Sequence, residues 1–305
     1  MSVRAVDLFA GAGGFSTGAR AAGVSILWAG NHWPVAVDCH SANHPDTAHA
    51  CQDLHQVDWT TVPAHDLLLA SPACQGHSRA RGADRPHHDA CRSTAWAVVS
   101  CAEVHRPRDI VVENVPEFLK WALYESWKHA LEALGYSVRC DVVDAADHGV
   151  PQHRRRLFVH ATQRKTAPPL LRWRISKFRV RHVPAREIVD LEAGTWSPVE
   201  TKCRRTRERI SAGRQQHGDA FLVAYYGNER GGRSLERPLG TVTTRDRYAV
   251  VRGDRMRMLT VQEYRKAMGF PEPYALPSNR RLATHLLGNA VCPPVARDVI
   301  NALLP

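Results

Sequence analysis

Cys74 stands in Ser71-Pro72-Ala73-Cys74-Gln75-Gly76, directly behind Asp66-Leu67-Leu68-Leu69-Ala70, a run with the length and composition of a buried strand. Glu113 closes a second run of this kind, Ile110-Val111-Val112-Glu113-Asn114. A thiol and a carboxyl group, each at the end of its own strand, form the pairing needed to attack an electron-poor ring while protonating it. Thiolate addition to carbon 6 of a cytosine, for example, makes carbon 5 nucleophilic. It does so only when the ring nitrogen that gathers the electrons is protonated or hydrogen-bonded as the bond forms. A Glu113 held neutral in a dry pocket could supply that proton. Taken alone, Cys74 also reads as one more small buried hydrophobe among eight cysteines. Proline two residues before it and glycine two residues after it favour a loop over a packed strand.

A ligand site is suggested at the N-terminus. Val3 to Phe9 is a strand pattern that runs into Ala10-Gly11-Ala12-Gly13-Gly14-Phe15 and then a helix-forming stretch from Ala19. A strand, a glycine-rich turn and a helix N-terminus let backbone approach a ligand closely. The spacing departs from the dinucleotide fingerprint, because Ser16 falls where the third glycine belongs. A tight structural turn explains the glycines about as well. A second strand, Ser25 to Ala29, ends at Asn31-His32-Trp33, and a third segment ends at Gln52-Asp53-Leu54. Trp33 could stack on an adenine and Asp53 could accept from its amine, although each reads equally as ordinary surface or core.

Taken together, the motifs are specific. The chain resembles a DNA (cytosine-5) methyltransferase, with matches in the family's order along nearly its whole length. Asp7-Leu8-Phe9-Ala10-Gly11-Ala12-Gly13-Gly14-Phe15 is similar to the S-adenosylmethionine loop, Cys74-Gln75 to the nucleophile, and Glu113-Asn114-Val115 to the ring-protonating motif. Gln152-His153-Arg154-Arg155-Arg156 resembles the Gln-x-Arg-x-Arg element, whose arginines contact the flipped cytosine and nearby backbone. Arg237-Pro238-Leu239-Gly240-Thr241-Val242-Thr243 resembles the element that organises the recognition domain, and Gly288-Asn289-Ala290-Val291 the last cofactor motif.

The resemblance implies Cys74, Glu113, Arg154 and Arg156 as the catalytic set, with Arg156 on the ring's carbonyl oxygen. It implies S-adenosyl-L-methionine, released as S-adenosyl-L-homocysteine, held by Phe9, Ala10, Gly11, Gly13, Gly14, His32, Trp33, Asp53, Leu54, Asn289, Ala290 and Val291. It implies double-stranded DNA contacted by Arg79, Arg81, Arg92, Arg172, Arg174, Arg179 and Thr243. A monomer in the cytoplasm, bacterial or phage-encoded, working beside a companion restriction endonuclease is the expected setting. Two positions depart from the family. Ala73 stands where proline usually precedes the nucleophile, and His32 stands where an acid usually binds the ribose hydroxyls. Neutral imidazole accepts one hydrogen bond where a carboxylate accepts several.

Composition agrees. The chain has 305 residues, enough for about two domains, and 44% hydrophobic content is ample for a core. No apolar stretch reaches the roughly 18 residues of a membrane span, and no charged-then-apolar leader opens the chain. The cysteines show no pair at metal spacing, so neither a metal site nor a disulfide scaffold is expected. Formal net charge is +11, and the stretch between Asp147 and Glu187 carries eleven lysines and arginines and no acid. That stretch accounts for the whole excess, which suits a phosphate-binding surface; a solvated face is the plainer reading.

Strand and helix patterns alternate to about residue 160, with strands near 3–9, 25–30, 66–71, 108–113, 138–144 and 156–160. The alternation points to an α/β fold, and the resemblance implies a Rossmann-like methyltransferase sheet, mixed and mostly parallel, with helices on both faces, plus a small target-recognition domain. The catalytic domain is expected over 1–160, completed by one C-terminal helix over 282–305, and the small domain over 161–281. The arginine-rich stretch from Gly76 to Arg92 reads as an exposed loop, which in the family closes over DNA behind the flipped base. A transfer-RNA cytosine methyltransferase, an inactive DNA-binding relative and a nicotinamide dehydrogenase are the competing readings. An intact Cys74, Glu113, Arg154 and Arg156 disfavours the second, and the glycine spacing disfavours the third.

Overall fold

The computed structural model describes residues 2–73, 94–169, 181–225 and 229–304. Their contacts divide the chain into two compact units. One takes the described residues of Met1–Asp144, Arg155–Arg179 and Ala290–Pro305, the other those of Ala145–Arg154 and Val180–Asn289.

The first unit is built on a seven-stranded sheet of order β3-β2-β1-β4-β5-β7-β6. Its strands are β1 (Arg4–Leu8), β2 (Ser25–Asn31), β3 (Ala48–Cys51), β4 (Leu67–Ala70), β5 (Asp109–Asn114), β6 (Ser137–Asp144) and β7 (Arg155–Thr162). β7 runs antiparallel to both of its neighbours, and the pairings from β3 to β5 are parallel. The mixed, mostly parallel sheet that the resemblance implies is therefore present. Central parallel strands are buried on both faces and so read as unbroken apolar runs rather than alternations. Leu67-Leu68-Leu69-Ala70 and Ile110-Val111-Val112 are all essentially inaccessible for this reason. The helices of this part of the chain are α1 (Gly14–Ala21), α2 (Pro34–Asn43), α3 (Trp96–His105) and α4 (Tyr124–Ala133). Phe118, Tyr124, Trp127 and Leu131 pack with Val98, Cys101 and the β4 and β5 side chains in one core.

The second unit carries a four-stranded antiparallel sheet of order β8-β11-β10-β9. It comprises β8 (Ser197–Pro198), β9 (Ala220–Ala224), β10 (Tyr248–Arg252) and β11 (Arg255–Met258). Helix α5 (Arg204–His217) packs on β9 through Ile210, which joins Phe221, Val223, Ala249, Val251 and Met256. Helix α6 (Val261–Ala267) begins with a capping box, in which Thr260 accepts from Glu263 N–H while the Glu263 carboxylate accepts from Thr260 N–H. That carboxylate also ion-pairs with Arg257 at 2.7 Å, both side chains being buried.

The boundaries differ from those expected. Ala145–Arg154, placed in the catalytic domain by the strand pattern, belongs to the second unit. Ala145 N–H donates to Arg154 O at 3.1 Å, closing the excursion between β6 and β7. Inside the excursion, Gln152 donates to Ala267 O and accepts from Val242 N–H. The single C-terminal helix expected over 282–305 is two helices, α7 (Arg280–Asn289) and α8 (Pro293–Asn301). The first lies in the second unit and the other in the first unit. Pro293 and Pro294 lack the N–H groups that continuing a helix requires, yet suit the first turn of a new one. α8 packs on α1, where a Cβ on Gly18 would stand 2.5 Å from Ala296 Cβ and from Pro293 O.

Candidate active site

Glu113 and the backbone that leads to position 74 lie at the carboxyl ends of adjacent strands. In register, Leu8 of β1 pairs with Ala70 of β4, and Ala70 with Val112 of β5. The residues that follow these strands therefore emerge side by side. Ser71 N–H donates to Leu8 O at 3.0 Å, Asn114 Nδ2 donates to Pro72 O at 3.1 Å, and Ala73 N–H donates to Thr94 Oγ1 at 3.1 Å. The backbone entering position 74 is thus tied to three elements in succession. Cys74 itself lies outside the described residues, as do Arg79, Arg81, Arg92 and the rest of the Gly76 to Arg92 stretch, and Arg172, Arg174 and Arg179.

Glu113, at the end of β5, is 6% exposed, as a dry pocket requires. Because β7 is antiparallel, its first residues lie at the same edge of the sheet as the last residues of β5. Asn114 pairs with Leu157, and Arg156 stands next to it. Arg156 Nε is 3.0 Å from Glu113 Oε1. The guanidinium expected on a ring oxygen therefore has the Glu113 carboxyl as its partner here, and the two form one paired group. Arg154, two residues earlier, does something different. It is 2% exposed, and within the second unit its Nη1 and Nη2 donate to Val242 O at 3.0 Å and Gly288 O at 2.9 Å. The motif's two arginines are thus divided: Arg156 faces the acid, and Arg154 ties backbone together. Where Arg154 joins the Val242 segment to α7, a Cβ on Gly288 would lie 2.3 Å from Thr243 C, so glycine is required for the contact. The Thr243 hydroxyl, expected on DNA, donates to Arg245 O at 3.0 Å.

Of the expected cofactor residues, Phe9 to Gly14, His32 and Trp33, and Asp53 follow the ends of β1, β2 and β3. Phe9, Gly11 and Gly13 have φ of 60°, 56° and 81°, the left-handed region that folds the turn back on itself. α1 then opens at Gly13 without a side-chain cap, leaving N-terminal amides of the kind that bind polar ligand groups. Gly14 has another cause: a Cβ there would stand 2.0 Å from Val291 O, so this glycine admits the C-terminal segment. Ala290 and Val291 are buried in the first unit, whereas Asn289 closes α7 in the second. Trp33 N–H donates to Asn31 Oδ1 at 2.9 Å, bending the chain beyond β2. Beyond β3, Asp53 is exposed and accepts from the backbone and ring N–H groups of His55, which hold its carboxyl below the usual carboxylate range. His32 is exposed, leaving the expected ribose acid replaced by imidazole. Leu54 is 1% exposed and its side chain packs in the core. Strand ends, left-handed turn, uncapped helix and exposed Asp53 together fit an adenosyl cofactor.

A buried polar chain beneath this turn was missed in the sequence. The Ser16 hydroxyl donates to Asp7 Oδ2 at 2.7 Å, Ser16 Oγ lies 2.9 Å from His40 Nε2, and His40 Nδ1 lies 2.8 Å from His49 Nε2. With Ser16 donating to Asp7, each group donates to the next in one direction: His49 to His40, His40 to Ser16. Burial pushes the Asp7 carboxyl up to about 7 against the pull of Ser16, and its Oδ1 has no hydrogen-bond partner among the described residues. Burial, with His44, His49 and Arg20 nearby, lowers His40 to about 2. The clue in the sequence is the spacing His40, His44 on one helix face followed by His49. The His40 and His49 rings bond to each other, while His44 packs its ring against His40 and meets the Thr17 hydroxyl at 3.2 Å; no group of His, Cys, Asp or Glu able to hold a metal occurs among the described residues.

No helix among the described residues is long and apolar enough to cross a membrane. The sequence profile of the C-5 cytosine-specific DNA methylases matches residues 3–304. The chain is 28% identical to the type II methyltransferase M1.HphI of Haemophilus parahaemolyticus over all of this chain and 87% of that protein. It is 33% identical to the type II methyltransferase M.AgeI of Thalassovita gelatinovora over 52% of this chain and 39% of that protein. Among solved structures, the Schizosaccharomyces pombe Dnmt2 methyltransferase shares the fold with a TM-score of 0.68 at 16% identity, covering all of this chain and 98% of that one. Because that profile spans nearly the whole chain, the chain belongs to the C-5 cytosine-specific DNA methylase family.

Proposed function

We propose that this enzyme methylates carbon 5 of a cytosine extruded from duplex DNA, through a covalent adduct to Cys74. The observation that carries the reading is the Glu113 and Arg156 pair, 3.0 Å apart at the end of β5, beside the anchored Ser71-Pro72-Ala73 turn that leads into Cys74. In this reading the Cys74 thiolate forms a bond to carbon 6, and the electrons displaced from the ring are received as Glu113 protonates or hydrogen-bonds ring nitrogen 3. Arg156 fixes the carboxyl and places its positive charge beside the ring's carbonyl oxygen as charge develops there. Phe9 to Gly14, His32, Trp33, Asp53, Ala290 and Val291 would hold S-adenosylmethionine, which when bound would supply an electrophilic methyl group, with S-adenosylhomocysteine as the leaving group. A base acting through water then takes the carbon 5 proton, the sulfur–carbon 6 bond breaks, and nitrogen 3 returns its proton.

The second unit serves in this reading as the target-recognition domain. The basic stretch that includes Arg172, Arg174 and Arg179 contacts phosphates, and Arg79, Arg81, Arg92 and Thr243 contact DNA near the extruded base. Arg154 contributes by bracing the Val242 and Gly288 backbone. A cytoplasmic monomer paired with a companion restriction endonuclease fits relatives that are themselves type II methyltransferases.

The test is incubation with labelled S-adenosylmethionine and either unmethylated duplex DNA or transfer RNA, followed by trapping on duplex containing 5-fluorocytosine, whose carbon 5 has no proton to lose. Methyl transfer to DNA, a trapped adduct, and loss of both in Cys74→Ala with cofactor binding retained are expected. An active Cys74→Ala protein, turnover without any adduct, or transfer to RNA alone would overturn the reading.

A further inference from the structure

The turn before the nucleophile position is held by a side chain that no motif includes. Ser71, Pro72 and Ala73 are successive residues, and each makes one backbone bond to a different partner: Leu8 O, Asn114 Nδ2 and Thr94 Oγ1. The first two partners sit on strands β1 and β5, and Asn114 is itself fixed, its Oδ1 accepting from Val115 N–H at 2.9 Å. Thr94 is equally well founded. It opens the turn into α3, its carbonyl accepting from Ala97 N–H at 3.2 Å, and the next residue's carbonyl accepts from Trp127 Nε1 at 2.9 Å deep in the core. A hydroxyl in this place is therefore a fixed acceptor, presented by a helix start that cannot drift.

The third bond depends on what residue 73 is. An alanine leaves φ free to vary and leaves an N–H to be satisfied; proline would restrict φ and would have no N–H to donate. With Ala73 in place, the conformation of the residue bonded to Cys74 is set by the hydrogen bond to Thr94 rather than by a ring. We propose that Thr94 is a positioning residue for the methyl-transfer reaction. Its hydroxyl orients the Ala73 peptide, the group bonded to Cys74, and acts on the reaction through that peptide. This inference rests on Cys74 being the nucleophile.

A coupled pair of substitutions tests it, using the full-length protein, unmethylated plasmid DNA and duplex containing 5-fluorocytosine. Thr94→Val keeps the shape and removes the acceptor. It should slow both single-turnover methyl transfer and adduct formation roughly ten- to a hundredfold, the loss of one partly buried hydrogen bond felt at the reacting centre. The dissociation constant for S-adenosylmethionine should stay within about twofold, and Thr94→Ser, which keeps the hydroxyl, should recover most of the rate. Ala73→Pro removes the donor, so adding Thr94→Val to Ala73→Pro should cost less than about twofold. That dependence on residue 73 distinguishes positioning from a general loss of packing, which would weaken Thr94→Val in both backgrounds and would not be rescued by serine. Equal adduct rates in wild type and Thr94→Val, or an undiminished Thr94→Val effect in the Ala73→Pro background, overturns the proposal while leaving Cys74 in its role. A wild-type protein that methylates DNA but never traps removes the nucleophile, and this proposal with it.

Discussion

Asp7→Asn should change how stability depends on pH, with a sign and size set by the buried chain under the cofactor turn. The Asp7 carboxyl is wholly inaccessible and is pushed by burial from near 3.8 up to about 7. Between those values the folded protein keeps a proton that the unfolded chain has released. Stability must therefore fall as pH rises through that window, and it levels off once both states are ionised. Each pH unit is worth about 1.4 kcal/mol, so the roughly three-unit shift amounts to about 4 kcal/mol lost between pH 4 and 7. Asparagine has nearly the same shape, can accept from Ser16 through its amide oxygen, and has nothing to ionise. Opposite in sign is His40, lowered to about 2, which costs stability as pH falls below the ordinary histidine range. Both proteins carry His40, so its contribution largely cancels in the difference. Urea unfolding of both proteins at pH 5, 6, 7 and 8 provides the assay. The stability of Asp7→Asn relative to wild type should rise by about 1.4 kcal/mol per unit from pH 5 to 7 and flatten by pH 8. Parallel stability curves over that range would refute the reasoning, because they would mean that Asp7 is ionised throughout.

Gly14→Ala should destabilise by about 1–3 kcal/mol or prevent folding, because its methyl group would stand 2.0 Å from Val291 O, and thermal unfolding without cofactor reads this apart from any ligand effect. His32→Glu should bind S-adenosylmethionine as well as or better than wild type by calorimetry, since a carboxylate accepts from both ribose hydroxyls where neutral imidazole accepts one hydrogen bond. Replacing Arg172, Arg174 and Arg179 together by Ala should weaken binding to all DNA sequences alike. It should also flatten the log–log salt dependence by about one unit for each lost phosphate contact, and an unchanged slope would make the basic stretch a solvated face. Arg154→Met should lower the melting temperature in a thermal unfolding scan, because Arg154 spends its terminal nitrogens on two buried carbonyls that would be left without donors.

Much of the fold was legible because the signals are local. Ser25 to Ala29, Leu67 to Ala70 and Ile110 to Val112 are apolar runs of strand length, and the left-handed turn at Gly11 and Gly13 needs residues without a side chain. Motif order placed Glu113 and Arg156 at strand ends from which both can act. What the sequence could not express is which distant group meets which. Whether β7 runs parallel or antiparallel is not written in its composition, yet that direction alone brings Arg156 to Glu113. Arg154 and Arg156 are the same residue type two positions apart, and only the packing partners divide them between a backbone brace and the acid. The break at Pro293, the capture of Ala145–Arg154 by the second unit, the buried Asp7 to His49 chain and the bond from Ala73 to Thr94 have a common physical origin. Each depends on burial and on hydrogen-bond partners far apart in sequence, which exist only once the chain has closed on itself.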